Sequence, residues 1–294
     1  MTVKQSIENF IETMSGKKDF IALFTVTGAN DNGDPNNGNR PRTTPEGYGE
    51  MSAECLKRKI RNRLQDMGAN IFVIPDERCT DGCDSLQMRA NSNEELKKIS
   101  AGKETDRAEY ARVACKEWLD VRAFGQVFTA KGLSIGVRGP VTVMPIRTVS
   151  PVNVVSMPIV KSVNGMTGYK GKSPDTMGTR HFIDFGLFVV KGSISCQLAE
   201  KTGFTDADAE MIKQALLTLF ENDASAARPE GSMEVRQLYW WDHDCKTPAV
   251  SSAKIHRSLK ITEKDPSKEP TCFEDYIIEL EDIPGIVKPE IYTL

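Results

Sequence analysis

The sequence predicts an α+β protein built around a ferredoxin-like βαββαβ unit. Two blocks carry the signal: a strand followed by an amphipathic helix within residues 19–68, and a strand, a helix and a strand within 181–245. Strand-like sequence at 133–152 lies between them. When the intervening polar segments are set aside, the order is strand, helix, strand, strand, helix, strand. That order is typical of the ferredoxin-like fold and of the RNA-recognition motif.

The first block is a buried strand and a capped helix. Residues 19–27 predict a buried strand, with apolar side chains at every second position along one side. Ser52 is suited to cap a helix at 52–68, and Gly68 is suited to end it. One side of the strand carries Phe20, Ala22, Phe24 and Val26, and the apolar stripe of the helix consists of Leu56, Ile60, Leu64 and Met67.

The middle of the chain changes character twice. Residues 71–75 indicate a short strand or an exit from the domain, and 75–105 are polar, with almost no apolar periodicity, so we expect an inserted excursion there. A second helix is predicted at 107–125. Residues 155–180 are rich in Gly, Lys, Met and Ser and indicate a protruding hairpin or flexible arm.

The second block completes the unit. Residues 181–196 and 232–244 alternate as strands, and 205–222 predict a capped helix. Of the adjacent Trp240 and Trp241, we expect one in the core and the other on a sheet face or interface. The remainder, 246–294, is acidic and interrupted by prolines, with one strand-like run at YIIEL.

Composition indicates a globular domain whose charge is unevenly distributed. Hydrophobic residues make up 39% and charged residues 27%, and the net charge is −3. Residues 39–63 nevertheless carry a net charge of +4 and 131–191 one of +6, whereas 263–294 carry −6. Local fields govern binding, so a basic face remains compatible with the acidic total. We expect no membrane span, no signal peptide and a cytoplasmic location with reduced thiols; Cys79 and Cys83 form a single C-x3-C without a second pair.

Two motifs are present only in part, and two other patterns are absent. GMTGYKGKS has five residues between Gly165 and Gly-Lys-Ser, one too many for a phosphate-binding P-loop. Asn30, Asn32 and Asp34 match the first positions of an EF-hand loop, but its later positions do not match. There is no G-x-S-x-G and no pair of His at metal spacing, so we expect neither a metal nor a cofactor.

The Asn-rich loop 30–42 and the helix that follows it predict an RNA-facing surface. Lys57, Arg58 and Arg61 lie together on the helix, and no acidic residue lies between positions 57 and 63. Arginine binds phosphate through paired donors, and Asn both donates and accepts. The alternative is an ordinary solvated charged face. From the loop, the candidate RNA-binding residues are Asn30, Asn32, Asn39, Arg40 and Arg42.

Seven motifs in order resemble one family. They are NGDPNNGNRPR, CLKRKIRN, DVRAFGQV, RGPV, MGTRHFIDFGLF, LAEKTGF and SAAR, spread over about residues 19 to 260. Together they resemble the Cas7-type backbone subunit of the type I-C CRISPR Cascade complex, a member of the RAMP superfamily.

The resemblance implies a modified RNA-recognition-motif palm with inserted fingers and a β-hairpin thumb. It adds Arg138, Arg147, Lys172 and Arg180 to the candidate RNA-binding residues. The thumb at 155–180 carries the candidate wedges Met157, Met166, Tyr169 and Met177. The implied division is an N-terminal extension 1–18, palm 19–74, fingers 75–131, palm strand 132–154, thumb 155–180, palm 181–245 and an acidic C-terminal segment 246–294.

The implied function is non-catalytic. Copies would bind the crRNA, polymerise along it head to tail, contact other Cascade subunits and present the guide for base pairing with target DNA in antiviral defence. The acidic segment 246–294 would meet a basic face of the next copy. The alternative is a metal-dependent ribonuclease that uses a loop carboxylate, Asp34 above all, as relatives in type III complexes do.

Overall fold

The computed structural model describes residues 13–101, 105–130, 132–160 and 177–294. It combines α-helices with a large antiparallel sheet, so the α+β expectation is confirmed. None of the helices in these ranges is both long and apolar enough to cross a membrane. The strands are β1 (Lys18–Ala29), β2 (Gly33–Asp34), β3 (Arg40–Pro41), β4 (Tyr48–Met51), β5 (Gln126–Ala130), β6 (Leu133–Val137), β7 (Val141–Val143), β8 (Ile146–Pro151), β9 (Val154–Val160), β10 (Met177–Ile194), β11 (Met233–Asp242), β12 (Leu259–Glu263), β13 (Tyr276–Leu280) and β14 (Glu290–Thr293). The helices are α1 (Ala53–Asp66), α2 (Leu86–Ser92), α3 (Glu94–Ala101), α4 (Arg107–Glu117), α5 (Leu119–Phe124), α6 (Cys196–Thr202), α7 (Asp206–Leu217) and α8 (Ser252–Ser258).

The main sheet is centred on β1, which pairs antiparallel with β10 on one side and β11 on the other. The sheet order is β14-β11-β1-β10-β8-β4. Helices α1 and α7, which follow β1 and β10 in the chain, contribute their apolar stripes to the core on one face. Phe20 lies opposite Gly192 in this register, and a Cβ on Gly192 would sit 2.2 Å from the Phe20 ring. Glycine at position 192 therefore leaves the space that the aromatic ring fills.

Both faces of β1 are buried. Phe20 and Phe24 belong to the main core with α1 and α7, whereas Ile21 and Leu23 belong to a second apolar cluster on the opposite face. The expectation of a buried strand is confirmed, with Phe20, Ala22, Phe24 and Val26 on one side of it in the main core. The sequence did not show which segment covers the opposite face.

The C-terminal segment covers that second face. Ile255 of α8 and Tyr276 of β13 pack in the same cluster as Trp241, while Trp240 packs in the main core. The expectation of a sheet-face or interface tryptophan is therefore wrong, because both tryptophans are core residues. The acidic side chains of this segment also have partners within the chain: Glu274 with Arg236 at 3.1 Å and Glu290 with Lys213 at 2.9 Å.

A separate apolar cluster draws on residues 72 to 135. The polar excursion at 75–105 holds two helices, α2 and α3, that the sequence did not reveal, and each gives only one or two buried apolar side chains to this cluster. The single helix expected at 107–125 is two helices. It breaks at Trp118, whose backbone is extended, and Leu119 N–H donates to Asn70 O at 2.9 Å. Residues 71–75 form no strand and serve as the chain exit.

The arm predicted at 155–180 begins as a hairpin. Strand β9 pairs antiparallel with the first part of β10, from Val154 opposite Ile183 to Val160 opposite Met177. Because β10 continues into the main sheet, the arm extends directly from the strand beside β1. Three expected residues, Met166, Tyr169 and Lys172, lie outside the described residues.

Candidate nucleic-acid interface

Loop 30–42 is a folded hairpin. Strands β2 and β3 pair within it, and Asp34 Oδ1 accepts from Asn36 N–H at 3.1 Å, which forms an Asx turn. Gly38 and Asn39 both have positive φ, a conformation that Gly and Asn adopt most readily. These turns leave Asn39 and Arg40 exposed at the surface.

The loop is anchored at its base by its own asparagines. Asn30 Nδ2 donates to Asn39 O at 2.7 Å, and Asn30 N–H donates to Ala227 O at 2.9 Å. Asn32 Oδ1 accepts from the backbone N–H of Ser52, the residue that caps α1, at 2.9 Å. Two of the asparagines predicted to contact RNA thus hold the loop against the start of α1 and the 225–228 segment.

Asp31 is fully buried beside this anchor, and within the described residues neither carboxylate oxygen has a hydrogen-bond partner of good geometry. Burial raises the pKa of Asp31 to about 7, although the nearby backbone N–H groups of Asp31 and Asn32 and the charges of Lys59 and Arg228 act to lower it. The protein therefore holds a buried carboxyl group at the base of the loop, with a pKa well above that of an exposed Asp.

The basic residues of α1 fall into two classes, and the first is paired with acids. Arg61 Nε lies 2.8 Å from Oδ2 of the buried Asp120, which also accepts from the backbone N–H groups of Phe72 and Val73. The expectation of an unneutralised basic face is wrong for Arg61, because its acid comes from a distant part of the chain. Two further pairs, Lys59 with Asp223 and Arg63 with Glu221, neutralise flanking residues of the helix.

Lys57 and Arg58 form the second class, with no acidic partner among the described residues. Burial lowers the pKa of both, and the positive charge of Arg61 lowers it further. Arg58 Nη1 donates to Val73 O at 2.8 Å, which fixes the guanidinium in place. A held cation that is partly desolvated and close to another cation gains more from binding an anion than a freely solvated one does.

Arg58 lines a groove of about 750 Å³ beside the base of the loop. Arg78 and Arg228 line the same groove, and neither was predicted as a site residue. Arg78 binds Asp66 at 2.7 Å and the carbonyl of Asn222 at 2.9 Å, and Arg228 lies 3.3 Å from Asp223. The SAAR motif contains Arg228, but only the fold shows that Asn30 pairs with Ala227 and so brings this motif to the loop.

The three remaining predicted arginines lie at different places. Arg180, at the base of the arm, donates to Gly28 O at 3.4 Å, so it lies next to the start of loop 30–42. Arg147 pairs across β8 and β4 with Glu50 at 3.3 Å. Arg138 is exposed, and among the described residues no hydrogen bond or ion pair connects it with the loop or the groove. On the arm, Met157 and Met177 are 49% and 72% exposed.

Within the described ranges, no group of three or more His, Cys, Asp and Glu side chains is placed to hold a metal ion. Cys79, from the C-x3-C pair, lies 3.1 Å from Asp81 Oδ1, and Arg89 binds the other oxygen of that carboxylate at 2.6 Å. Arg89 holds the pKa of Asp81 well below its ordinary value, so this carboxylate is engaged as an ion pair.

Sequence comparison with known proteins identifies the Cas7 family, and structural comparison finds a similar fold in chains of CRISPR surveillance complexes. The model of the family described as CRISPR-associated protein Cas7 matches residues 16–281. A CRISPR-associated protein Cas7 from Haloferax volcanii is 23% identical over 238 residues, covering 73% of this chain and 67% of the relative. A chain of a CRISPR RNA-guided surveillance complex in a pre-nicking state aligns with a TM-score of 0.51 and 16% identity, covering 81% of both chains. A chain of another CRISPR RNA-guided surveillance complex aligns with a TM-score of 0.46 and 16% identity, covering 76% of this chain and 68% of that one.

Proposed function

Because the chain belongs to the Cas7 family, we propose that it is a crRNA-binding backbone subunit of a type I-C CRISPR Cascade complex. In this proposal the subunit is non-catalytic. Copies polymerise head to tail along the guide RNA in the cytoplasm, contact the other Cascade subunits and present the guide for pairing with target DNA. The guide reads the sequence, while the protein binds its backbone and shape.

The sheet topology supports a ferredoxin-like palm as the frame of this subunit. The order β11-β1-β10-β8, with α1 after β1 and α7 between β10 and β11, is the strand order that the βαββαβ unit gives. We assign the apolar cluster at 72–135 to the fingers and the β9–β10 hairpin to the thumb. The finer boundaries remain those predicted from the sequence.

The observation that carries RNA binding is the basic groove at the base of loop 30–42. Among the described residues Arg58 has no acidic ion-pair partner, and Arg40 and Asn39 are exposed on the loop. Lys57 also lacks an acidic partner there, but it lies over the Phe124 ring and does not line the groove. Arg58 is held by Val73 and shares its groove with Arg78 and Arg228. Preorganised guanidinium groups bind phosphate oxygens through paired donors at a small entropic cost.

The exposed methionines of the arm support its assignment as the thumb. Met157 and Met177 present apolar side chains to solvent on opposite legs of the hairpin, in a pattern suited to inserting between bases or against the next copy. We retain both as wedge candidates. The acidic C-terminal segment is not assigned to contact between copies, because its Glu274 and Glu290 already bind Arg236 and Lys213.

The ribonuclease alternative is less favoured. Asp34 accepts from Asn36 N–H and lies 3.5 Å from Arg42, so its carboxylate is occupied in shaping the loop. These two contacts give Asp34 a structural role, whereas metal-assisted cleavage needs carboxylates that converge on an ion.

The proposal is tested by charge reversal with a matched control. The double variant Arg40→Glu and Arg58→Glu should weaken binding of guide RNA by at least about tenfold at 100 mM salt, because phosphate contacts are lost and like charges are introduced. Lys268→Glu makes the same kind of charge change on an exposed residue of the C-terminal segment and should leave affinity unchanged. Equal affinity of parent and double variant, with both folded, would refute the proposed RNA site.

A further inference from the structure

The hairpin of β5 and β6 lies outside the main sheet and has an open edge. Two residues separate Ala130 from Leu133, and this pair closes the hairpin. The closing pair of a two-residue hairpin is hydrogen-bonded, and hydrogen-bonded pairs alternate with non-bonded pairs along an antiparallel ladder. The backbone N–H and C=O groups of Val127 and Thr129 therefore point away from β6, toward the outer edge of β5.

A groove of about 690 Å³ runs along this outer edge. Residues 126–129 of β5 form one wall, and helices α2 and α3 contribute residues to the others. Within the described chain, β6 contributes nothing to the lining, which places the groove on the unpaired side of the hairpin. Val127, 63% exposed, and Leu86, 37% exposed, give the groove apolar surface. Lys97 also lines it and lies 3.5 Å from Glu94 of the same helix.

The edge has unfilled backbone positions. No strand in the described ranges pairs with β5 other than β6. Gln126 Nε2 donates to Val127 O at 3.1 Å, so a side-chain amide occupies the position that the N–H of a neighbouring strand would take. An exposed strand edge beside an apolar groove is the arrangement that recognises an extended peptide, through backbone pairing and pockets for alternate side chains.

We infer that β5 receives, as a third strand, an extended segment of a different protein subunit of the complex. This inference rests on the proposed function. Five residues of strand span about 17 Å, the length of β5, and every second side chain of the added strand would face the groove. We expect apolar side chains at those positions. A β5 strand from a second copy is a poorer occupant, because pairing of identical edges is two-fold and closes, whereas head-to-tail copies need two different surfaces.

The test uses the chain assembled on guide RNA, once alone and once with the other protein subunits of its complex. Amide hydrogen exchange at Val127 and Thr129 should slow by about tenfold or more only in the second assembly, because only there are the outward N–H groups paired. Protection in the first assembly would identify a neighbouring copy as the occupant and overturn the inference. Unchanged exchange in both assemblies would overturn it as well.

A pair of variants provides the second measurement. Val127→Pro removes an outward N–H without removing a hydrogen bond to β6, and Val127→Thr keeps that N–H. Val127→Pro should bind guide RNA as the parent does but lose at least about tenfold in affinity for the other subunit, while Val127→Thr should retain both. The melting temperature of each isolated variant checks the fold.

Full assembly by a folded Val127→Pro would refute the edge site and leave the proposed function standing. Failure of the parent itself to bind guide RNA would instead refute the proposed function, and this inference with it.

Discussion

Arg58 and Arg61 lie on the same helix, α1, and carry the same charge, but they have different roles. Arg61 is held by the fully buried Asp120 and stabilises the fold. Arg58, less than one turn earlier, is held by the carbonyl of Val73 and by Asn62, and no acid among the described residues forms an ion pair with it. Positive residues on one helix therefore cannot be treated as one binding surface, because the position of the acids decides which of them remain available.

The comparison also shows why local sequence could not separate the two classes. The acid that binds Arg61 is 59 residues away, and the acid that binds Lys59 is 164 residues away. Only the packing of α1 against the 118–124 and 218–223 segments brings these partners together. A helix that looks uniformly basic in sequence is thus half structural in the folded protein.

The largest expected effect comes from breaking the structural class. Arg61→Met leaves Asp120 as a buried carboxylate without its cation, and the free energy of unfolding should fall by about 3–5 kcal/mol. Arg40→Met, at an exposed position of the loop, should change it by less than about 0.5 kcal/mol. Urea denaturation of both variants gives the measurement. Equal stability of the two would remove the distinction between structural and available cations.

Asp31 is a buried acid near the same helix, and its ionisation should also affect stability. Its carboxyl group is protonated in the folded protein below about pH 7, whereas an unfolded Asp protonates near 3.8. This difference stabilises the fold below pH 3.8, and the stabilisation is lost as the pH rises to about 7. Asp31→Asn lacks the ionisation, so at pH 8 it should be more stable than the parent, by on the order of 2–4 kcal/mol.

The test of Asp31 is a difference between two proteins, which cancels the titration of all other groups. The free energies of unfolding of parent and Asp31→Asn should converge toward pH 4 and diverge toward pH 8. A difference that is constant across this range would mean that Lys59 and Arg228 keep the Asp31 carboxylate ionised throughout.

The smallest effect on stability is expected at Asp34. Variants at this position distinguish a role in shaping the loop from a role in catalysis. Asp34→Ala loses the acceptor for Asn36 N–H and should cost about 1 kcal/mol of stability, whereas Asp34→Asn keeps an acceptor and should cost less. Neither the parent nor Asp34→Asn should cleave a complementary RNA in magnesium. Cleavage by the parent that is absent in Asp34→Asn would establish the ribonuclease alternative.

Elements with a strong local signal were predictable from the sequence. The apolar run of β1 and the Ser52 cap of α1 both depend on near neighbours, and both are found as expected. Helices α2 and α3 were missed because they are seven and eight residues long and give few side chains to a small separate core. The burial of Trp241 depends on α8 and β13, which no pattern near residue 241 reveals.

The candidate site was likewise predictable only in part. Composition identified loop 30–42 and the basic helix, because Asn, Gly and Arg are unusual in that density. Arg78 and Arg228 were missed, since each reaches the groove through contacts with residues far away in the chain. The pairing of Arg61 with Asp120 could not be predicted from the sequence either. It gives a structural role to a residue that was expected to bind RNA.

The salt dependence of guide RNA binding tests the division of α1 most directly. The matched variants are Arg58→Met and Arg63→Met, on the same helix. Arg63 binds Glu221 at 2.6 Å and Thr218 at 2.7 Å, so it should contribute no phosphate contact. We expect Arg58→Met to reduce the slope of log K against log salt by about 0.7, the value for one phosphate of a single strand, and Arg63→Met to leave it unchanged. An equal reduction in both variants, or a reduction in Arg63→Met alone, would contradict the division between acid-paired and available cations.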